Sequence, residues 1–168
     1  MEASSSPFGT PRTLALFAFL LALAAILGAW GSQLFGGLIP CELCLAQREP
    51  YYYGLPLLAL LLLLWPRLTP AIRLIGLGLV SVIFLWCAGL GIYHAGVEWK
   101  FWPGPTACTG TGEGLSFEDL NNINDAKVIP CDQVQFRFLG VSLAGYNALV
   151  MLGAVALLAR AALILRRR

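Results

Sequence analysis

Five cysteines are the residues of this chain best suited to chemistry. Two of them form the C-x-x-C pair Cys41-Glu42-Leu43-Cys44. That spacing serves redox centres, zinc sites and haem attachment alike. No His follows Cys44 directly, which argues against c-type haem. A disulfide closed over so short a segment is a small strained ring, easily reduced and re-formed. A thiolate at this place is favoured by a nearby helix N-terminus and by Arg48, four residues beyond Cys44 and on the same face once a helix has begun. Arg keeps its charge at any relevant pH; its plain alternative is an interfacial cation that snorkels, paired with Glu49. Cys108 and Cys131 make a second, well-separated pair, for which a structural disulfide is the plain alternative. Structural zinc sites draw two close pairs, which these residues do not supply, so no metal is expected. Cys87, in Leu85-Trp86-Cys87-Ala88, reads as a small packed apolar residue.

The rest of the chain must position these sulfurs, and its composition says in what solvent. It is 58% hydrophobic and only 12% charged, more apolar surface than a water-soluble fold of this size can hide. The net charge of +2 supports no argument for nucleic acid. Four apolar stretches, without the alternation of barrel strands, predict an all-α membrane protein. The expected architecture is one membrane domain over 1–168, a bundle of four transmembrane helices at about 13–31, 45–65, 72–93 and 139–160. A crossing takes about 20 residues. The stretch from Tyr51 to Trp65 is short of that, so its helix is expected to begin near Cys44 to Gln47. Pro50 is tolerated only near such a start. The first stretch is longer than the apolar core of a signal peptide and is read as a retained helix.

Basic residues set the orientation. With alternating helices, Arg12, Arg67, Arg73, Arg160, Arg166, Arg167 and Arg168 share one side, which should be cytoplasmic together with both termini. Segments 32–44 and 94–138 are then outward loops, and they carry the four cysteines other than Cys87. Disulfides persist outside the cytoplasm, and the chemistry expected of two facing pairs is thiol–disulfide exchange. The long second loop is itself a sign of function. Its Trp99 and Trp102 read as interface anchors, and Ser116-Phe117-Glu118-Asp119-Leu120 as the N-cap and first turn of a short amphipathic helix on the lipid surface. No flavin or haem pattern is visible, so a lipid-soluble electron acceptor such as a quinone suits the setting, though spacing cannot name it. His94 could hydrogen-bond such an acceptor or shuttle a proton; its alternative is an interfacial polar residue satisfied by water or a backbone carbonyl. Glu98 and the loop acids are read as a solvated face.

Several motifs resemble the DsbB family of disulfide-bond formation proteins. They are Pro40-Cys41-Glu42-Leu43-Cys44-Leu45-Ala46-Gln47-Arg48, Tyr93-His94-Ala95-Gly96-Val97-Glu98, Pro103-Gly104-Pro105-Thr106-Ala107-Cys108, Ile129-Pro130-Cys131-Asp132, and the opening of the fourth span from Phe138 to Asn147. The resemblance implies a bacterial inner-membrane thiol oxidase with its active loops facing the periplasm. By position it implies that a reduced DsbA-like thioredoxin-fold partner attacks Cys108, that Cys131 exchanges with Cys41, and that Cys44 meets ubiquinone or menaquinone with Arg48 stabilising the charge. Pro50, just after Arg48, departs from many members and puts the Cys44–Arg48 geometry in question. Vitamin K epoxide reductase-like proteins also use four cysteines and a quinone, but there the C-x-x-C pair comes late in the chain. A disulfide-stapled scaffold or a transporter is the remaining alternative; a transporter should show repeats or polar residues in mid-span.

Overall fold

The computed structural model describes residues 9–105, 108 and 130–167. It is mostly helical, with α1 at Pro11–Leu34, a short α2 at Glu42–Ala46, α3 at Glu49–Leu63, α4 at Pro70–Glu98 and α5 at Leu143–Arg166. Two-residue strands β1 (Arg137–Phe138) and β2 (Val141–Ser142) form a small antiparallel hairpin before α5. The amphipathic helix expected near Ser116 lies outside the described residues.

Local sequence explains where the long helices begin. Thr10 caps α1 through its side chain, with Pro11 as first residue, and Thr69 with Pro70 repeats the device at α4. A proline's missing N–H is no loss in a first turn, where that donor has no helical partner. Ser142 caps α5 by accepting from Gly145 N–H at 3.2 Å. The turn Leu139-Gly140 between the strands has positive φ at both residues, 48° and 82°, the signature of a type I′ hairpin in which glycine removes the steric penalty.

Among the described residues, three helices are long and apolar enough to cross a membrane: α1, α4 and α5, of 24, 29 and 24 residues. They show apolar side chains outward as well as inward. Leu27, Ile75, Val82 and Leu149 are more than half exposed, while Leu58, Leu77, Phe84, Met151 and Leu158 form the sealed core. Such a surface belongs in lipid. On α1 the inward face is made of small residues, Ala15, Ala18 and Ala22, all fully buried, which let helices approach closely without a bulky seam.

The second apolar stretch does not form one helix from residue 45 to 65. The chain leaves α2 at Gln47 and restarts as α3 at Glu49, with Pro50 in its first turn. A continuous helix would force the Pro50 ring against the carbonyl of Ala46, one turn earlier. α3 ends at Leu63, and a 3₁₀ turn, Trp65–Arg67, follows it. α4 also differs from expectation: it runs past Tyr93 to Glu98, so His94 and Glu98 belong to the helix and not to the loop. α5 begins at Leu143 because residues 137–142 are spent on the hairpin, and it continues to Arg166.

Candidate functional site

The break at Pro50 decides where the first cysteine pair points. Cys41 is the N-cap of α2, and its sulfur accepts the Cys44 N–H at 3.3 Å. The two sulfurs, Cys41 Sγ and Cys44 Sγ, are 2.7 Å apart and both cysteines are free. Cys108 and Cys131 are joined as a disulfide with Cα atoms 5.3 Å apart, and Cys131 N–H donates to the Cys108 carbonyl at 2.9 Å. Cys41, Cys108 and Cys131 share one buried cluster with Leu43 and Val97, against which Cys44 packs. Residues far apart in sequence thus bring Cys41, Cys44, Cys108 and Cys131 together.

Two contacts hold the second loop there. The Gln135 amide pairs with the main chain of Ile39 on both edges, accepting from its N–H at 3.1 Å and donating to its carbonyl at 2.6 Å. This imitates one rung of a β-ladder, two residues before Cys41. On the surface, Lys100 pairs with Asp132, and its ammonium holds that carboxyl below the usual range. The loop start also folds back. Trp102 stacks on Tyr93 and donates to its carbonyl at 2.9 Å, with the indole over Gly96, where any side chain would collide with it.

Beside Cys41 lies a buried polar chain that sequence reading passes over. The Tyr51 hydroxyl donates to Asn147 Oδ1, Asn147 Nδ2 donates to Gln47 Oε1 at 2.8 Å, and Gln47 Nε2 meets His94 Nδ1 at 2.7 Å. The Gln47 orientation is anchored, because the same Nε2 donates to the Leu43 carbonyl at 3.2 Å; an inverted amide would set two oxygens against each other. Nδ1 of His94 is therefore an acceptor, and the ring's hydrogen sits on Nε2. That nitrogen is 3.6 Å from Cys41 Sγ, and the main chain of Cys131 reaches the ring as well. The expectation that water or a carbonyl alone satisfies His94 gives way to this packing: the residue is 3% exposed.

These neighbours polarise the free pair in opposite senses. The Cys44 thiol, donating to Cys41, lowers the Cys41 pKa most; burial works against it, and the His94 donor adds to it, leaving Cys41 at about 4. The same hydrogen bond, burial and the charge on Cys41 push the Cys44 thiol up. In the reduced pair Cys41 is the thiolate and Cys44 keeps the proton. Cys41, Cys44 and His94 also place three potential ligand atoms within 4.8 Å, but the polar chain leaves a hydrogen on the nitrogen a metal would need. The arrangement suits a thiolate better than a metal ion.

A cavity of about 340 Å³ opens against the pair. α1 lines it with Ala24, Ala25, Ile26, Gly28, Ala29 and Ser32, mostly small residues, and its walls are mostly apolar. Cys44, Arg48, His94 and Glu98 stand at its polar end. Arg48 reaches across to α1, donating to Gln33 Oε1 at 2.7 Å and to the Ala29 carbonyl at 3.4 Å; among the described residues no ion pair joins it to Glu49. Cys87 is fully buried, yet it is more than filler, since its thiol donates to the Gln47 carbonyl at 3.4 Å. Glu98 does not lie on a solvated face. Its side chain is 7% exposed and one oxygen is 3.8 Å from His94 Nε2, because residues four apart share one side of a helix.

The family model for disulfide bond formation protein DsbB matches residues 11–161, a span that takes in every residue of this site. Searches of curated proteins and of solved structures gave no match.

Proposed function

The chain belongs to the DsbB family, membrane oxidoreductases that form disulfides, and on that premise we propose that it is a quinone-dependent thiol oxidase of the bacterial inner membrane. In this reading the single domain, 1–168, spans the bilayer four times. α3 is only 15 residues, roughly 22 Å at 1.5 Å per residue against about 30 Å of hydrocarbon. The preceding α2 and the following 3₁₀ turn make up the difference at the two interfaces. Both termini are cytoplasmic, and the two cysteine-bearing segments face the periplasm.

Cys108 is the sulfur that a reduced DsbA-like partner attacks, which breaks the Cys108–Cys131 bond and joins the partner to Cys108. With Cys41 and Cys44 in their oxidised form, the freed Cys131 attacks Cys41, which breaks the Cys41–Cys44 bond and releases Cys44. The partner leaves oxidised when its second thiol displaces Cys108, and Cys108 then attacks Cys131, re-forming the Cys108–Cys131 bond and leaving Cys41 and Cys44 reduced. The buried cluster of Cys41, Cys108 and Cys131 supports this step, since no large movement is needed to bring Cys131 to Cys41. Cys44 lies at the cavity, whose volume and apolar walls suit a substituted ring. Arg48 and Cys44 would hold the head of a ubiquinone or menaquinone, and the small residues of α1 would leave room for its plane. A bound quinone supplies a sink for two electrons and takes up two protons as it is reduced. Arg48 offsets negative charge at the polar end. His94, tied to Gln47 on one side, serves the Cys41 thiolate with the other; this supports a role toward sulfur more than a direct bond to the quinone.

The observation that carries the proposal is the meeting of all four cysteines beside one apolar cavity with a fixed cation. Anaerobic mixing of purified protein, a reduced thioredoxin-fold dithiol and ubiquinone tests it. Quinol should form in proportion to the partner disulfide. Protein that forms neither would leave a disulfide-stapled membrane scaffold.

A further inference from the structure

One group in the site has no task in this scheme. Glu98 lines the cavity beside Cys41 and Cys44; its side chain is more than nine-tenths buried, and its Oε2 has no hydrogen-bond partner. Leaving a carboxylate oxygen buried and unpaired is costly, so its persistence calls for a purpose. We propose that Glu98 is the proton-accepting group of the site, taking the first proton the Cys41/Cys44 dithiol gives up and passing it to the electron acceptor. This rests on the reading of that pair as the donor to a membrane quinone.

Elimination among the titratable and charged groups at the cavity leads to it. His94 is the usual choice for such work, but its Nδ1 lone pair is taken by Gln47 Nε2 and its Nε2 already carries hydrogen. Arg48 has no acceptor atom. Tyr51 and Tyr146 spend their hydroxyl hydrogens on Asn147 Oδ1 and the Phe138 carbonyl. Lys100 and Asp132 are paired with each other at the surface. Among the described residues at the cavity, Glu98 alone offers an open acceptor oxygen. It stands with Oε1 3.8 Å from the His94 nitrogen that faces Cys41, and its charge is felt at Cys44.

The balance closes. The reduced pair holds two protons. One moves to the Glu98 carboxylate, leaving Cys41 as a thiolate that accepts from the remaining Cys44 S–H. When the Cys41–Cys44 sulfur–sulfur bond forms, two electrons pass to the quinone. The Cys44 proton and the Glu98 proton complete the quinol, and Glu98 is again a carboxylate.

The full chain in lipid nanodiscs, without added quinone, gives a readout independent of turnover. Infrared difference spectra between the dithiol and disulfide states of Cys41/Cys44 should show a carboxylic-acid band in the reduced state, shifted by ¹³C-labelled Glu and missing from Glu98→Gln. A wild type with no such band overturns the inference, as does a band that persists in Glu98→Gln. In the quinone assay, Glu98→Gln should lose on the order of 10²-fold in rate; Glu98→Asp should recover part of the loss. A wild-type rate in Glu98→Gln would sink this inference alone. Failure of the wild type to form quinol would sink the reading beneath it.

Discussion

The two cysteine pairs differ somewhat in burial and far more in how they are built. Cys108 and Cys131 are 2% and 1% exposed, whereas Cys41 is 6% exposed and Cys44 half-buried, so burial alone does not explain the contrast. Support does. Cys41 and Cys44 sit on a short helix, with hydrogen-bond donors aimed at one sulfur. Cys108 and Cys131 come from a loop, among apolar neighbours and main-chain bonds. The first pair is tuned by polar partners that fix where its charge rests. The second is only delivered, by contacts such as the Gln135 clasp. In the proposed reading, the tuned pair is the one that gives up electrons at a fixed place.

The sharpest way to break this contrast is to cut the link between the pairs. Cys131→Ser should reduce partner-driven quinol formation to background and leave a mixed disulfide trapped on Cys108. Peptide mass spectrometry that finds the partner on any other cysteine would refute the assignment. Next in size is Cys44→Ala, which removes the donor that lowers Cys41 most. A depressed thiol pKa means that the thiolate persists toward acid. In reduced wild type, Cys41 alkylation should therefore hold steady down to about pH 5 and fail only as pH drops through about 4. A hydrogen bond to a charged group is worth ~1.5–3 kcal/mol, so the variant's profile should move up by about one to two pH units; an unmoved profile would mean that the tuning lies elsewhere.

Gln47→Ala should act in the same direction but less, because it frees the His94 tautomer without removing the ring. Nitrogen NMR of His94 would register mixed Nδ1–H and Nε2–H forms, where wild type shows only the latter. Gln135→Ala should leave the Cys41 profile alone and slow exchange between the pairs by about tenfold, from loss of two exposed hydrogen bonds at about 0.7 kcal/mol each, near the low end of their usual worth. Faster hydrogen exchange at Ile39 would accompany it. The smallest effect belongs to Lys100→Ala: its ion pair is exposed and screened by salt, so quinol formation at physiological ionic strength should match wild type.

The cysteines and long apolar helices were legible in the sequence because both are local signals, a spacing and a run of composition. The polar chain was not. Gln47 and Asn147 are 100 positions apart and meet only when the start of α3 packs near α5. One hint was present, since an Asn inside an apolar span is expensive in lipid and marks a site. Glu98 was misread because the apolar run ends at Tyr93, while the helix continues. The spacing of His94 and Glu98 on a continuing helix was the missed clue. The break in the second span was half visible in Pro50, but which way Cys41 would then face depends on packing that no local pattern encodes.

The small-residue wall of α1 has a further meaning. A Cβ built on Gly28 meets nothing within 4 Å, so side-chain bulk at this position is not fixed by the needs of folding. It is a sizing screw for the chamber. Lineages could turn it one methyl at a time, narrowing or widening the bore while the sulfurs, the relay and the bundle stay as they are.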